Sequence, residues 1–103
     1  MKQEKAQKLR KAGWRVGAAK EFLGLSDEES ALIEMRLALS RSLRERRTDN
    51  GLSQAQLAAR MGSSQSRIAK MEAGDPSVSL DLLIRSLLNL GANAADIAKA
   101  IKS

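Results

Sequence analysis

The sequence predicts an all-α fold, a small helical bundle with an N-terminal extension, and three observations carry that prediction. Between residues 26 and 103 apolar residues recur at three- and four-residue spacing, as on one face of a helix. Each such run follows a Ser or Asn suited to capping, and most end at a glycine. The aromatic content is one Phe, one Trp and no Tyr, so any core must be built from Leu, Ile, Ala and Met. With 103 residues, the chain has room for one such domain and some extra length.

Residues 1–25 are read as the extension. Residues 1–12 are basic and polar with Leu9 as the single large aliphatic anchor, the pattern of a solvated tail. Gly13-Trp14-Arg15-Val16-Gly17 alternates apolar and polar between glycines, which suggests a short extended piece with Trp14 as a packed anchor. Ala18 to Leu23 suits one or two helical turns ended by Gly24. A long helix then begins at Ser26, which forms a capping box with Glu29, while Asp27 and Glu28 suit the positive end of the helix dipole. It is expected to run to about Arg47. Leu32, Met35, Leu39 and Leu43 make one stripe, and Ile33 and Leu37 a second face about a third of a turn away. The second face needs a partner, either the 14–25 segment or a second subunit.

Thr48-Asp49-Asn50-Gly51 is turn chemistry. The next stretch, LSQAQLAARMGSSQSRIAKMEAGD from Leu52 to Asp75, is the most informative in the chain. Ser53 and Gln56 form a capping box, and Leu52 and Leu57 suit a hydrophobic staple across that start. Leu57, Ala58 and Met61 share a face, and Gly62 suits the left-handed position past a helix end. Ser63 or Ser64 caps a second helix with Ile68 and Met71 inward and Gly74 closing it. Two short helices about a tight turn, at about 53–74, are either a plain αα-hairpin or a helix-turn-helix, whose second helix enters a DNA major groove. The outward residues Ser64, Gln65, Ser66, Arg67 and Lys70 are hydroxyls, an amide and two cations, which can hydrogen-bond base edges and phosphates.

Asp75-Pro76 makes a turn. Ser79 caps a helix over Leu80 to Leu90, with Leu80, Leu83, Ile84, Leu87 and Leu88 expected in the core. Gly91 ends it, and Asn93 caps a last helix carrying Ile97 and Ile101.

Charge and absent residue types narrow the function. The net charge is +6: residues 1–20 carry +6, residues 21–35 carry −5, residues 36–72 carry +5 and the rest balance. A positive field around the hairpin is the footprint of a polyanion binder. Capping explains the acidic block. Without His or Cys the commonest general bases, nucleophiles and transition-metal ligands are missing, so no enzyme, metal site or cofactor is expected. No run approaches the ~18 apolar residues of a membrane helix, and no apolar run follows the N-terminal cations as in a secretory signal. A cytoplasmic location is expected.

The order L-S-Q-x-x-L-A-x-x-M-G-S-S-Q-S-x-I-x-K-M-E-x-G resembles the Cro/repressor type of helix-turn-helix, the XRE-like family of bacterial and phage regulators, from about Leu39 to Leu90. The resemblance implies a lambda-repressor-like fold for residues 26–103. It also implies that Gln54 contacts a phosphate, that Ser64, Gln65 and Ser66 face the bases, that Lys70 reads further along the groove, and that Glu72 pairs with Arg47.

The expected function is therefore a sequence-specific transcriptional regulator, a repressor of its own gene. Gln65 would read a base, helped by Ser64, Ser66 and Arg67, while Gln54, Arg46, Arg60 and Lys70 hold phosphates of operator DNA. Residues 1–12 could add an arm on phosphates or in a minor groove. One such domain makes too little groove contact for good specificity, so a homodimer is expected. An alternative is an antitoxin that binds a toxin protein and represses its own operon. The segment from Trp14 to Leu43 resembles the extension of HigA-like antitoxins, and its Ile33/Leu37 face would then meet the toxin.

Overall fold

The computed structural model describes residues 23–102, and among these it contains five helices and no strand. The expected basic tail, the extended piece around Trp14 and the helical turns before Leu23 lie outside the described residues. The helices are α1 (Asp27–Asp49), α2 (Gln54–Met61), α3 (Gln65–Glu72), α4 (Leu80–Asn89) and α5 (Ala94–Lys102). Two compact units divide at Met35 and Arg36, inside α1.

In the first unit α1 starts where its cap predicts. The Ser26 N–H donates to Glu29 Oε1 and the Glu29 N–H donates to Ser26 Oγ, both at 3.1 Å. The Ser26 N–H and then the Ser26 hydroxyl hold the Glu29 carboxyl below the usual carboxylate range. Leu32 and Met35 were expected on the core stripe but stand 44% and 40% exposed, outside the buried cluster. That cluster is made by residues 39–92, so the stripe outruns its core.

The second unit is built around Leu39 and Leu43 of α1, Leu57 of α2, Ile68 and Met71 of α3, and Leu83 and Leu87 of α4, all buried. Ala58, Val78, Leu90 and Ala92 complete the core, and Leu52, Met61, Leu80, Leu82, Ile84 and Ile97 pack around it. Seven large aliphatic side chains at roughly 1.5–3 kcal/mol each are the main force holding four helices together. Leu88 was expected inside and is 50% exposed. At 100° per residue it lies roughly 140° round α4 from Leu83, on the far side of the helix. The buried face runs instead through Ser86, whose hydroxyl donates to the Leu82 carbonyl at 2.7 Å and lies 3.4 Å from Met71 Sδ.

Every later helix is capped by the side chain before it. Ser53 and Gln56 make a reciprocal box on α2, Ser64 Oγ accepts from the Arg67 N–H and Ser79 Oγ from the Leu82 N–H. Asn93 and Asp96 cap α5 reciprocally, at 3.0 and 2.8 Å. Each such cap is worth about 1 kcal/mol, which matters for helices of eight to ten residues that are marginal alone.

Candidate nucleic-acid interface

The geometry of the α2–α3 pair follows from its turn. Gly62 has φ +65°, the left-handed position, and the next N–H, of Ser63, donates to the Ala58 carbonyl at 2.8 Å. The chain thus leaves α2 sharply and enters α3 after three residues. Ala58 is buried between the helices, where a larger side chain would hold them apart.

Ile68 and Met71 fix how α3 is rotated. Both are buried, so the opposite face, with Gln65, Ser66, Arg67 and Lys70, is exposed. Ser64, Ser66, Arg67 and Lys70 line one side of a groove of about 430 Å³, and Ser77, Val78, Ser79 and Leu82 line the other. Gln65 is exposed and is not part of that lining. Ser64 is first of all the N-cap of α3, through its bond from the Arg67 N–H at 3.1 Å. Ser77 and Ser79 were not among the residues expected to meet DNA. In the sequence Ser79 reads only as a helix cap, and Ser77 carries no signal of its own.

Beneath the pair, three elements meet at Glu72. Arg47 Nε donates to Glu72 Oε2 at 2.5 Å and Nη2 donates to Oε1 at 3.0 Å. Nη1 donates to the Leu52 carbonyl at 2.7 Å. The two side chains are 11% and 5% exposed. The hydrogen bonds from Arg47 to Glu72, and then the carboxylate charge, push the guanidinium above its ordinary range, against the opposing effect of burial. Gln54 Nε2 adds a bond to Glu72 Oε1 at 3.2 Å. The end of α1, the start of α2 and the end of α3 are thus tied at one carboxylate.

The remaining phosphate candidates sit elsewhere. Arg60 Nη2 donates to the Asn89 carbonyl at 2.9 Å, at the end of α4, and Arg46 Nη2 lies 3.6 Å from Asp96 Oδ2, at the start of α5. Of the ten residues singled out from the sequence, the structure gathers Ser64, Ser66, Arg67 and Lys70 along one groove and Gln54, Arg47 and Glu72 into one cluster. Arg46 and Arg60 are engaged at the α4–α5 corner.

Among the described residues no helix is long and apolar enough to cross a membrane, and no cluster of three or more His, Cys, Asp or Glu could hold a metal ion. Compared with known families, residues 43–91 match the helix-turn-helix family. No curated protein and no solved structure matches the chain. The match spans the end of α1, the α2–α3 pair and α4, and includes the groove and the Arg47–Glu72 cluster. Residues 43–91 are therefore a helix-turn-helix DNA-binding domain of the XRE, or Cro/C1, type.

Proposed function

We propose that this chain is a cytoplasmic, sequence-specific transcriptional repressor that binds double-stranded operator DNA as a homodimer and represses its own gene. The observation that carries the reading is the rotation of α3. Burying Ile68 and Met71 commits the opposite face, two cations among hydroxyls and an amide, to solvent at the mouth of a groove. In this reading residues 26–103 form the DNA-binding domain and residues 1–25 a basic extension.

Gln65 carries the base readout, since its amide can bond adenine at two points, and Ser64, Ser66 and Arg67 assist. Lys70 and Arg67 flank the groove and supply phosphate attraction. Ser77 and Ser79 add neutral donors across from them. Gln54 reaches a phosphate from the start of α2 while its amide keeps Glu72 in place. Arg60 and Arg46 take part by releasing Asn89 and Asp96, two exposed contacts that cost little to break. A single α3 reads only a few base pairs, so two copies on a pseudo-palindrome, with half-sites roughly 34–36 Å apart, supply the specificity.

A second reading, an antitoxin whose Ile33/Leu37 face meets a toxin, draws on the exposure of Leu37 and of its neighbours Leu32 and Met35 on α1. A toxin covering them would leave the DNA-binding role intact.

The test is a binding titration on the promoter upstream of its own gene, beside a scrambled duplex, at two salt concentrations. Preferential binding that weakens as salt rises is the expected result. Equal, weak binding to both duplexes would overturn the repressor reading and leave a basic bundle in search of a protein partner.

A further inference from the structure

The groove is also held from behind, by residues that precede the matched helix-turn-helix segment. Arg36 of α1 donates through Nη1 to the Val78 carbonyl. Val78 lies between Ser77 and Ser79 on the groove wall and its side chain is buried in the core. One residue along α1, Leu37 lies so close to Gly74 that a Cβ on that glycine would stand 2.9 Å from Leu37 Cδ2. Ser40, a turn further on, is buried against the same glycine, and its hydroxyl has no hydrogen-bond partner.

The turn from Ala73 to Ser79 also has ties of its own. Asp75 Oδ1 accepts from the Ser77 N–H at 2.8 Å, and the Val78 N–H donates to the Asp75 carbonyl at 3.1 Å. The Ser77 N–H and then its hydroxyl hold the Asp75 carboxyl below the usual range, with Lys70 and Arg36 adding their positive charge. The start of the turn is tied to α3, where the Asp75 N–H donates to the Lys70 carbonyl at 3.1 Å, while the bonds of Ser77 and Val78 run only within the turn. The Val78 carbonyl immediately precedes the N-cap of α4, so a charged donor from α1 on that carbonyl sets the angle at which the turn faces α3.

We propose that Arg36 is a positioning residue for DNA recognition, setting the wall of the groove opposite Arg67 and Lys70 without itself touching DNA. The proposal rests on the reading that α3 enters the major groove beside that wall. It makes Arg36, seven residues before the matched segment, part of the recognition apparatus, where residues 43–91 alone would not reach. A partner that moved Arg36 would loosen the grip on DNA from outside the helix-turn-helix.

The test uses the full chain and a duplex that the wild-type protein selects from a randomised pool, with a scrambled duplex beside it. Arg36→Met keeps the aliphatic stem and removes the donor. Arg36→Lys keeps a charged donor. Arg36→Met is expected to lose about tenfold in affinity for the selected duplex, the order expected for one charge-assisted hydrogen bond. Its salt slope is expected to stay unchanged, and Arg36→Lys to recover most of the loss. In hydrogen exchange, amides from Ser77 to Leu83 are expected to open faster in Arg36→Met while those of α2 stay protected. If Arg36→Met fails to fold, Arg36→Gln is measured in both ways with the same expectation.

Unchanged affinity in these variants overturns the proposal. So does a loss shared by the Met and Gln variants together with a salt slope shallower by about one, because Arg36 would then hold a phosphate itself. A wild-type chain that selects no duplex fails at an earlier step and removes the DNA reading with it.

Discussion

Glu72→Ala removes the carboxylate on which Arg47 and Gln54 converge, and the loss can be sized from the geometry. Arg47 keeps its bond to the Leu52 carbonyl but loses both bonds to Glu72, leaving a guanidinium whose side chain is 11% exposed facing no counter-charge. Breaking a buried ion pair by deleting one partner costs about 3–5 kcal/mol, and the retained Leu52 bond puts this case near about 3 kcal/mol. Small domains have about 5–15 kcal/mol in total. For a domain of this size each kcal/mol moves the melting temperature by about 4–8 °C, so the expected drop is about 12–24 °C. Urea and thermal unfolding of the full chain, followed by far-ultraviolet circular dichroism, measure both quantities. The double variant Arg47→Met, Glu72→Leu removes both charges and is expected to regain much of the stability. A Glu72→Ala loss below about 1 kcal/mol, the worth of a surface pair, would refute the reasoning, as would a double variant whose loss equals the sum of the two singles.

Three further outcomes are expected. Gln65→Ala is expected to cost about 1–3 kcal/mol of discrimination at one base pair, read as the ratio of affinities for the selected duplex and its single-site variants; an unchanged ratio would move the base readout elsewhere. Gly74→Ala places a Cβ at φ +74° and 2.9 Å from Leu37 Cδ2, so a loss of about 1–3 kcal/mol is expected by urea unfolding; a neutral result would mean that Leu37 and the turn yield freely. The carboxyls of Glu29 and Asp75 are depressed in the folded chain, so their stabilisation is full above the ordinary carboxylate range and is lost as pH falls through their lowered values. A urea midpoint that falls on acidification below about pH 4, and falls less in Glu29→Gln, checks the sign.

How far the sequence reveals the molecule depends on whether a feature is local. Caps and turns were legible at Ser26, Ser53, Gly62, Ser79 and Asn93, because each acts within three or four residues of itself. Ile68 and Met71 were legible as the inward face of α3 because a four-turn pattern is not needed to orient an eight-residue helix. Helix faces were less secure where several apolar residues compete. In α4, five leucines and an isoleucine surround Ser86, and hydrophobicity alone gives no reason to bury a serine in preference to Leu88. The stripe on α1 read correctly at Leu39 and Leu43 and outran its packing partners at Leu32 and Met35. Side-chain destinations that depend on distant chain were invisible. Nothing near Arg60 in sequence points to the Asn89 carbonyl, or near Arg36 to that of Val78, since 29 and 42 residues separate the partners.

The cap on α3 commits part of the Ser64 hydroxyl before any ligand arrives. Because Ser64 Oγ accepts the Arg67 N–H, one of its two lone pairs is committed to the helix, and its proton and second lone pair are left over. In the proposed complex a base edge meeting Ser64 would therefore find both a donor and an acceptor. Guanine and adenine would answer the donor with N7, guanine also with O6 and thymine with O4, and the amino group of cytosine would answer the acceptor. On the proposed reading the cap therefore fixes where the Ser64 hydroxyl stands, and the choice of base at that position falls to its neighbours on α3.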